Sequence, residues 1–236
     1  MGAPQDISLT LLGGFSLLIE RQPVDVPVSA QKLLGLLGIR GPMSRSRIAG
    51  TLWPEVAEDR AMASLRTSIW RIQQLHRGIV AATANTVELA GTVGIDVREM
   101  TATARRLLDE QMGDLPLWWL SARFQGDLVP DWPEDWLVVD RERLRQLRLH
   151  ALERLAERLT DQGRYGLALE AALAALRADS LRETAHRAAI LVHLAEGNLG
   201  EAIRQFRQCQ EILREEFGVE PTPATSQLLR GLVAPV

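Results

Sequence analysis

Apolar residues at the start of the chain recur at every second position. Ile7, Leu9 and Leu11 share one strand face, Gly13-Gly14 breaks it, and Phe15, Leu17 and Ile19 resume the alternation. Gln22-Pro23 reads as a second turn before Val24 and Val26, so a small antiparallel sheet is expected. The period then changes. Ser29 precedes a run in which Leu33, Leu36 and Leu37 fall on one helical face, and Gly41-Pro42 closes it. Ser44 can cap a short helix over Arg45 to Leu52 with Ile48, Ala49 and Leu52 inward. Trp53-Pro54 ends that helix, because the residue before proline is driven out of helical geometry. A longer helix begins near Asp59 as N-cap and runs to about His76, with Ala61, Leu65, Ile69, Ile72 and His76 as its core stripe.

After Gly78, Ile79-Val80 and the pair Val87 and Leu89 flank the small polar segment Thr83-Ala84-Asn85-Thr86, the pattern of a β-hairpin. Strands, three helices and a terminal hairpin in that order describe a winged helix-turn-helix. The second and third helices form the turn pair and residues 79–89 the wing. From about Asp96 the character changes to helix after helix, rich in Ala, Leu, Arg and Glu. The expected fold is therefore mostly α: a winged helix with a small β-sheet over residues 1–95, and an all-α domain over residues 96–236. Within the second part, Gly163-Arg164-Tyr165 with Ala168 recurs as Gly197-Asn198-Leu199 with Ala202, at an offset of 34 residues. That is the tetratricopeptide period, in which a glycine turns one helix into the next and a small Ala lets the two approach. Ala172, Ala175, Phe206 and Cys209 fall where the second helix meets its neighbour. Stacked helix pairs of this kind usually present a surface to a protein partner.

Composition and charge narrow the function. With 236 residues, 46% hydrophobic and 24% charged, the chain can build one large core or two ordinary ones. The longest charge-free stretch, Ile7 to Ile19, is too short and too polar to span a bilayer. The N-terminus has no secretory pattern, and the single Cys209 can form no internal disulfide, so a cytoplasmic location is expected. The net charge of −3 hides an asymmetry. Residues 1–95 carry 9 Lys+Arg against 7 Asp+Glu, residues 96–236 carry 18 against 23, and Arg40 to Arg77 holds seven arginines against Glu55, Glu58 and Asp59. A basic surface confined to one part of an acidic chain is expected where only that part meets phosphate.

The third helix carries the candidate chemistry. With Leu65 at zero, Arg60, Ala63, Arg66, Thr67, Trp70, Arg71 and Gln74 lie between about 100° and 240°, away from the apolar stripe. Arg can bond guanine bidentately and Gln adenine, Thr can bond a base or touch a thymine methyl, and a helix fits the major groove. A solvated polar face explains most of these residues equally well, but it does not explain Trp70. Arg45 and Arg47, at the start of the preceding helix, are placed to hold the phosphate backbone. No catalytic set is present. Gly13-Gly14 lacks the Lys-Ser/Thr of a phosphate loop, and His186 and His193, two turns apart, have no third metal ligand in pattern. Cys209 reads as a packed thiol and Glu215-Glu216 as a solvated face. Neither an enzyme nor a cofactor is expected.

Leu52-Trp53-Pro54-Glu55, Ala61-Met62-Ala63-Ser64-Leu65-Arg66 and Ile69-Trp70-Arg71-Ile72 resemble the DNA-binding half of the SARP-type regulators, the Streptomyces antibiotic regulatory protein family, whose winged helix is OmpR-like. The rest resembles the bacterial transcriptional activator domain that follows it. The matching segments are Gly126-Asp127-Leu128-Val129-Pro130-Asp131-Trp132, Glu134-Asp135-Trp136, the run Arg141 to His150, and the stretch Leu213 to Pro221. The resemblance implies a transcriptional activator that binds tandem direct repeats in double-stranded DNA, as a homodimer at least when on DNA, and contacts RNA polymerase with its principal sigma factor. It also implies pathway-specific control of secondary metabolism. Carried over, the recognition helix supplies Arg66, Thr67, Trp70 and Arg71, joined by Arg60, Ser64 and Gln74, and the turn helix supplies Arg45 and Arg47. Thr83 and Asn85 are candidate backbone contacts of the wing. Two departures stand out: Gln73-Gln74 replaces further arginines, and the wing tip has no basic residue. A protein-interaction adaptor whose winged helix no longer reads DNA is the alternative they leave open.

Overall fold

A computed structural model describes residues 7–109, 124 and 126–230. They fall into two compact units: residues 7–102 with 126–142, and residues 103–109 and 124 with 143–230. The first unit opens with β1 (Ile7–Thr10) and β2 (Ser16–Ile19), paired antiparallel from Ile7↔Ile19 to Thr10↔Ser16. Gln22-Pro23, expected as a turn, instead forms β3 against Leu18 and Ile19. The turn lies two residues earlier, where Glu20 and Arg21 take φ of 50° and 65°. Two successive positive φ values give the tight hairpin whose twist suits the strands.

The first helix, α1 (Val28–Arg40), starts one residue before the expected Ser29 cap, with Pro27 at the N-cap position. Leu33, Leu34, Leu36 and Leu37 are all fully buried, so α1 has no wet face through its centre. Gly38 explains one side: a Cβ there would lie 2.9 Å from Leu11, so the bare backbone lies directly on β1. β4 (Met43–Ser44) leads into α2 (Arg45–Leu52), where the Ser44 hydroxyl accepts from the Arg47 N–H at 3.4 Å as its cap. Helix α3 (Glu58–Leu75) begins after Ala57 rather than at Asp59, which stands in its first turn. Ala61, Leu65, Ile69 and Ile72 are buried as the periodicity predicts. His76 departs from the expected stripe. It is the exposed C-cap residue, and its Nδ1 accepts from the Gly78 N–H at 3.0 Å, which closes the turn into the wing.

The wing is the hairpin β5 (Val80–Ala82) and β6 (Thr86–Leu89), widened by β4 into a three-stranded sheet in the order β4-β6-β5. β7 (Val93–Ile95) then returns to the first sheet and pairs parallel to β1, giving the order β3-β2-β1-β7. At the start of α4 (Asp96–Leu108), the Asp96 carboxylate accepts from the N–H groups of Leu11, Leu12 and Val97 at 2.7–3.0 Å. Burial raises its pKa above the ordinary value even against those three donors. Asp96→Ala would orphan three part-buried N–H groups, so we expect a loss of about 2 kcal/mol in chemical unfolding.

Residues 126–142 belong to this unit too, although they follow the expected boundary at residue 95. They run as an extended strap, a 3₁₀ turn (Asp135–Leu137) and the first residues of α5 (Val138–Asp161). In the second unit, α6 (Tyr165–Ala178) packs on α7 (Glu183–Glu196), and α7 on α8 (Leu199–Phe217). The 34-residue repeat is visible in the backbone. Gly163 and Gly197 take φ of 70° and 86° at equivalent turns, and Ala168 and Ala202 are fully buried one turn into the helices that follow. Ala172, Ala175 and Cys209 are also fully buried, and Phe206 packs partly buried against Ile190, Ala202 and Leu229. Across the connection into α7, Arg182 bonds Glu153 at 2.6 Å and Gln146 at 3.0 Å, tying that connection to α5. Glu183 then accepts from the N–H and hydroxyl of Thr222 and fixes the chain leading to α9 (Pro223–Ser226).

Candidate nucleic-acid interface

Packing divides α3 into two faces. Leu65 and Ile72 are fully shielded, while Arg60, Ala63, Arg66, Thr67, Trp70, Arg71 and Gln74 are exposed and Ser64 is intermediate. Trp70 leaves 59% of its surface in water, which gives no folding benefit and sets a large flat apolar group among cations. The hydroxyls on this face are turned back onto the helix. Ser64 donates to the Arg60 carbonyl at 3.0 Å and Thr67 to the Ala63 carbonyl at 3.1 Å. With their hydrogens committed, both hydroxyls keep lone pairs able to accept from a base amino group.

Around this face the structure collects the other candidates. The Arg45 N–H donates to the Asn85 carbonyl at 3.0 Å, and its side-chain Nε donates to the Thr83 carbonyl at 2.9 Å. Arg45 is thus a half-buried bridge between the start of α2 and the wing tip. Arg47, two residues on, is exposed. The Thr83 hydroxyl is spent within the wing turn, where it accepts from the N–H groups of Asn85 and Thr86 at 3.3 and 3.0 Å. Its role in this conformation is to shape the tip that presents the exposed Asn85. On the opposite flank, the Arg71 guanidinium reaches the Ser29 hydroxyl at 3.5 Å, which brings the start of α1 beside the outer face of α3. Sequence periodicity could not show that contact, because it joins residues 42 positions apart. Arg40, although exposed, is not free to join this face. It pairs with Asp140 at 2.9 Å and lies over the Trp136 ring.

The remaining candidate chemistry resolves as packing. His186 is buried, accepts from Gln205 at Nδ1 over 2.8 Å, and donates from Nε2 to the Ser180 carbonyl at 2.9 Å. Burial lowers its pKa, which favours the neutral ring. Burial likewise pushes the Cys209 thiol up to about 11, the opposite of what a nucleophile needs. Among the described residues, no group of three or more His, Cys, Asp and Glu could hold a metal ion, and no helix is long and apolar enough to cross a membrane.

Residues 121–232 match the bacterial transcriptional activator domain. Over 194 residues the chain is 24% identical to regulatory protein AfsR of Streptomyces coelicolor, covering 75% of this chain but 19% of AfsR. The solved structure of Mycobacterium tuberculosis EmbR in complex with a low affinity phosphopeptide shares the fold at a TM-score of 0.71 and 19% identity, covering 95% of this chain and 64% of that one. The chain thus spans about a fifth of AfsR and less than two thirds of EmbR.

Proposed function

The chain is a SARP-type regulator carrying a bacterial transcriptional activator domain, and from that premise we propose that it is a cytoplasmic, sequence-specific activator of transcription. Its winged helix, expected over residues 1–95, binds tandem direct repeats in double-stranded DNA as a side-by-side homodimer. The helical part, expected over residues 96–236, contacts RNA polymerase and its principal sigma factor. Control of secondary metabolism is the role this implies.

The observation that carries the reading is the outer face of α3, where Arg66, Thr67, Trp70 and Arg71 stand exposed on a helix whose inner face is fully packed. Base reading falls to Arg66 and Thr67, with Gln74 about two turns on. Arg47, Arg60 and the Arg45 bridge serve the backbone, and Asn85 the neighbouring groove edge. Arg66→Ala should cost about 1–3 kcal/mol on the preferred sequence and relax base preference, whereas Arg47→Ala should weaken all duplexes alike. Titrating both variants against matched and scrambled duplexes checks this. Equal behaviour of the two variants, or no effect of either, would remove the mechanism. The adaptor reading draws on the wing tip, where residues 83–86 include no basic residue and the Thr83 hydroxyl is internally bonded. It predicts stable protein partners with no DNA retention at low salt.

A further inference from the structure

Residues 126–142 are matched as part of the activator domain, yet they are built into the unit that contains the recognition helix. The strap lies along the end of β1. Gly13 N–H donates to the Asp127 carbonyl, and Val129 N–H to the Leu11 carbonyl, both at 2.8 Å, with a bridge between Leu12 and Leu128. Gly126 must be glycine, because a Cβ would stand 2.7 Å from the Gly13 nitrogen. Val129 takes φ of 34°, a conformation β-branched residues avoid and that persists only where its surroundings over-determine it. Arg141 supplies that constraint, donating to the carbonyls of Leu128, Val129 and Trp132.

Beyond this point the strap covers α1. Trp132 stacks on Phe15 at 5.9 Å and lies over Gly35, where an added Cβ would be 2.8 Å from the indole ring. Glu134 pairs with Lys32 in the second turn of α1. At the far end, Arg40 bonds Asp140 at 2.9 Å, donates to the Trp136 carbonyl at 2.7 Å, and lies 5.4 Å from the Trp136 ring centre. Three points along one helix are therefore held by one segment. That same helix packs against α3 and meets Arg71 through Ser29.

We infer that residues 126–142 are a working part of the DNA-reading unit: they set the position of α1 and, through it, of α3, with Trp132 and Arg40 as positioning residues for base selection. The inference rests on the DNA-binding reading and adds where its geometry is controlled. Gly35→Ala forces a methyl into the Trp132 ring and lifts the strap, while Trp132→Leu in the same chain makes room for that methyl.

The test uses the full chain, comparing wild type, Gly35→Ala, Gly35→Ala with Trp132→Leu, and Arg40→Ala. Amide exchange across α1 and α3 is followed together with affinity for a duplex selected by the wild type and for scrambled DNA. Gly35→Ala should speed exchange in α3 and weaken the selected duplex about tenfold, leaving scrambled DNA, bound through exposed arginines, unchanged. The double variant should recover both readouts. Arg40 is exposed at α1's end, so Arg40→Ala should fold and move both readouts in the same direction if Gly35→Ala does not fold. The inference is overturned if α3 exchange and selected-duplex affinity stay at wild-type values, or if the double variant recovers neither. If the wild type selects no duplex, the DNA-binding reading fails, and α3 exchange alone decides the role of the strap.

Discussion

Leu65→Ala should cost about 3 kcal/mol of stability, seen as a lower urea midpoint for the N-terminal unit. Leu65 is fully buried at the centre of the α3 stripe, between Ala61 and Ile69. Removing its side chain loses the transfer energy of three carbons and leaves a cavity that a helix fixed on both sides cannot close. Tryptophan emission is a suitable probe, since Trp53, Trp70, Trp132 and Trp136 all belong to this unit. Trp70→Ala is the matched control. With 59% of its surface exposed it should shift the midpoint by under about 0.5 kcal/mol while weakening DNA binding. A helix that is structural on both faces would show comparable losses from the two variants. Near-equal midpoints for Leu65→Ala and wild type would mean that the packing of α3 is misassigned.

The second large effect is that of salt. Of the seven arginines from Arg40 to Arg77, Arg40 is committed to Asp140 and Arg66 is assigned to base reading, so the cations left for phosphate are Arg45, Arg47, Arg60, Arg71 and Arg77. Each neutralised phosphate releases condensed counterion, and roughly five contacts between about 50 and 200 mM salt should cost on the order of 500-fold in affinity. Arg47→Ala should flatten the slope of log affinity against log salt by about one unit. Fluorescence anisotropy over a salt series measures both. A flat salt response would show that these arginines do not face the backbone and would favour the adaptor reading.

The elements of the winged helix were legible because their signals are local. Alternation marks β1 and β2, Ser44 and Trp53-Pro54 bracket α2, and the stripe from Ala61 to Ile72 separates the two faces of α3. The exposed placement of Arg66, Thr67, Trp70 and Arg71 followed from the same periodicity. What escaped depends on distant partners. β4 and β7 span two and three residues, too short for any period to show, and exist only through pairing with β6 and β1. His76 sits at the right spacing for the stripe but lies past the last helical turn, where its ring serves Gly78 instead. The strap was the largest surprise. Gly126 to Trp136 carries the activator-domain signature in sequence, and only the fold shows Trp132 over Gly35 and Glu134 beside Lys32. Arg45 was legible at the start of the turn helix and Thr83 at the wing tip, but not their bond to one another.

The central claim is that this chain reads DNA sequence with α3, and selection from a random duplex library by the purified full chain at about 50 mM salt tests it most directly. The account predicts one enriched motif present twice, in the same orientation and at a fixed helical-turn spacing, as expected when two winged helices lie side by side on one face of the duplex. A folded chain that enriches no motif under these conditions would contradict it.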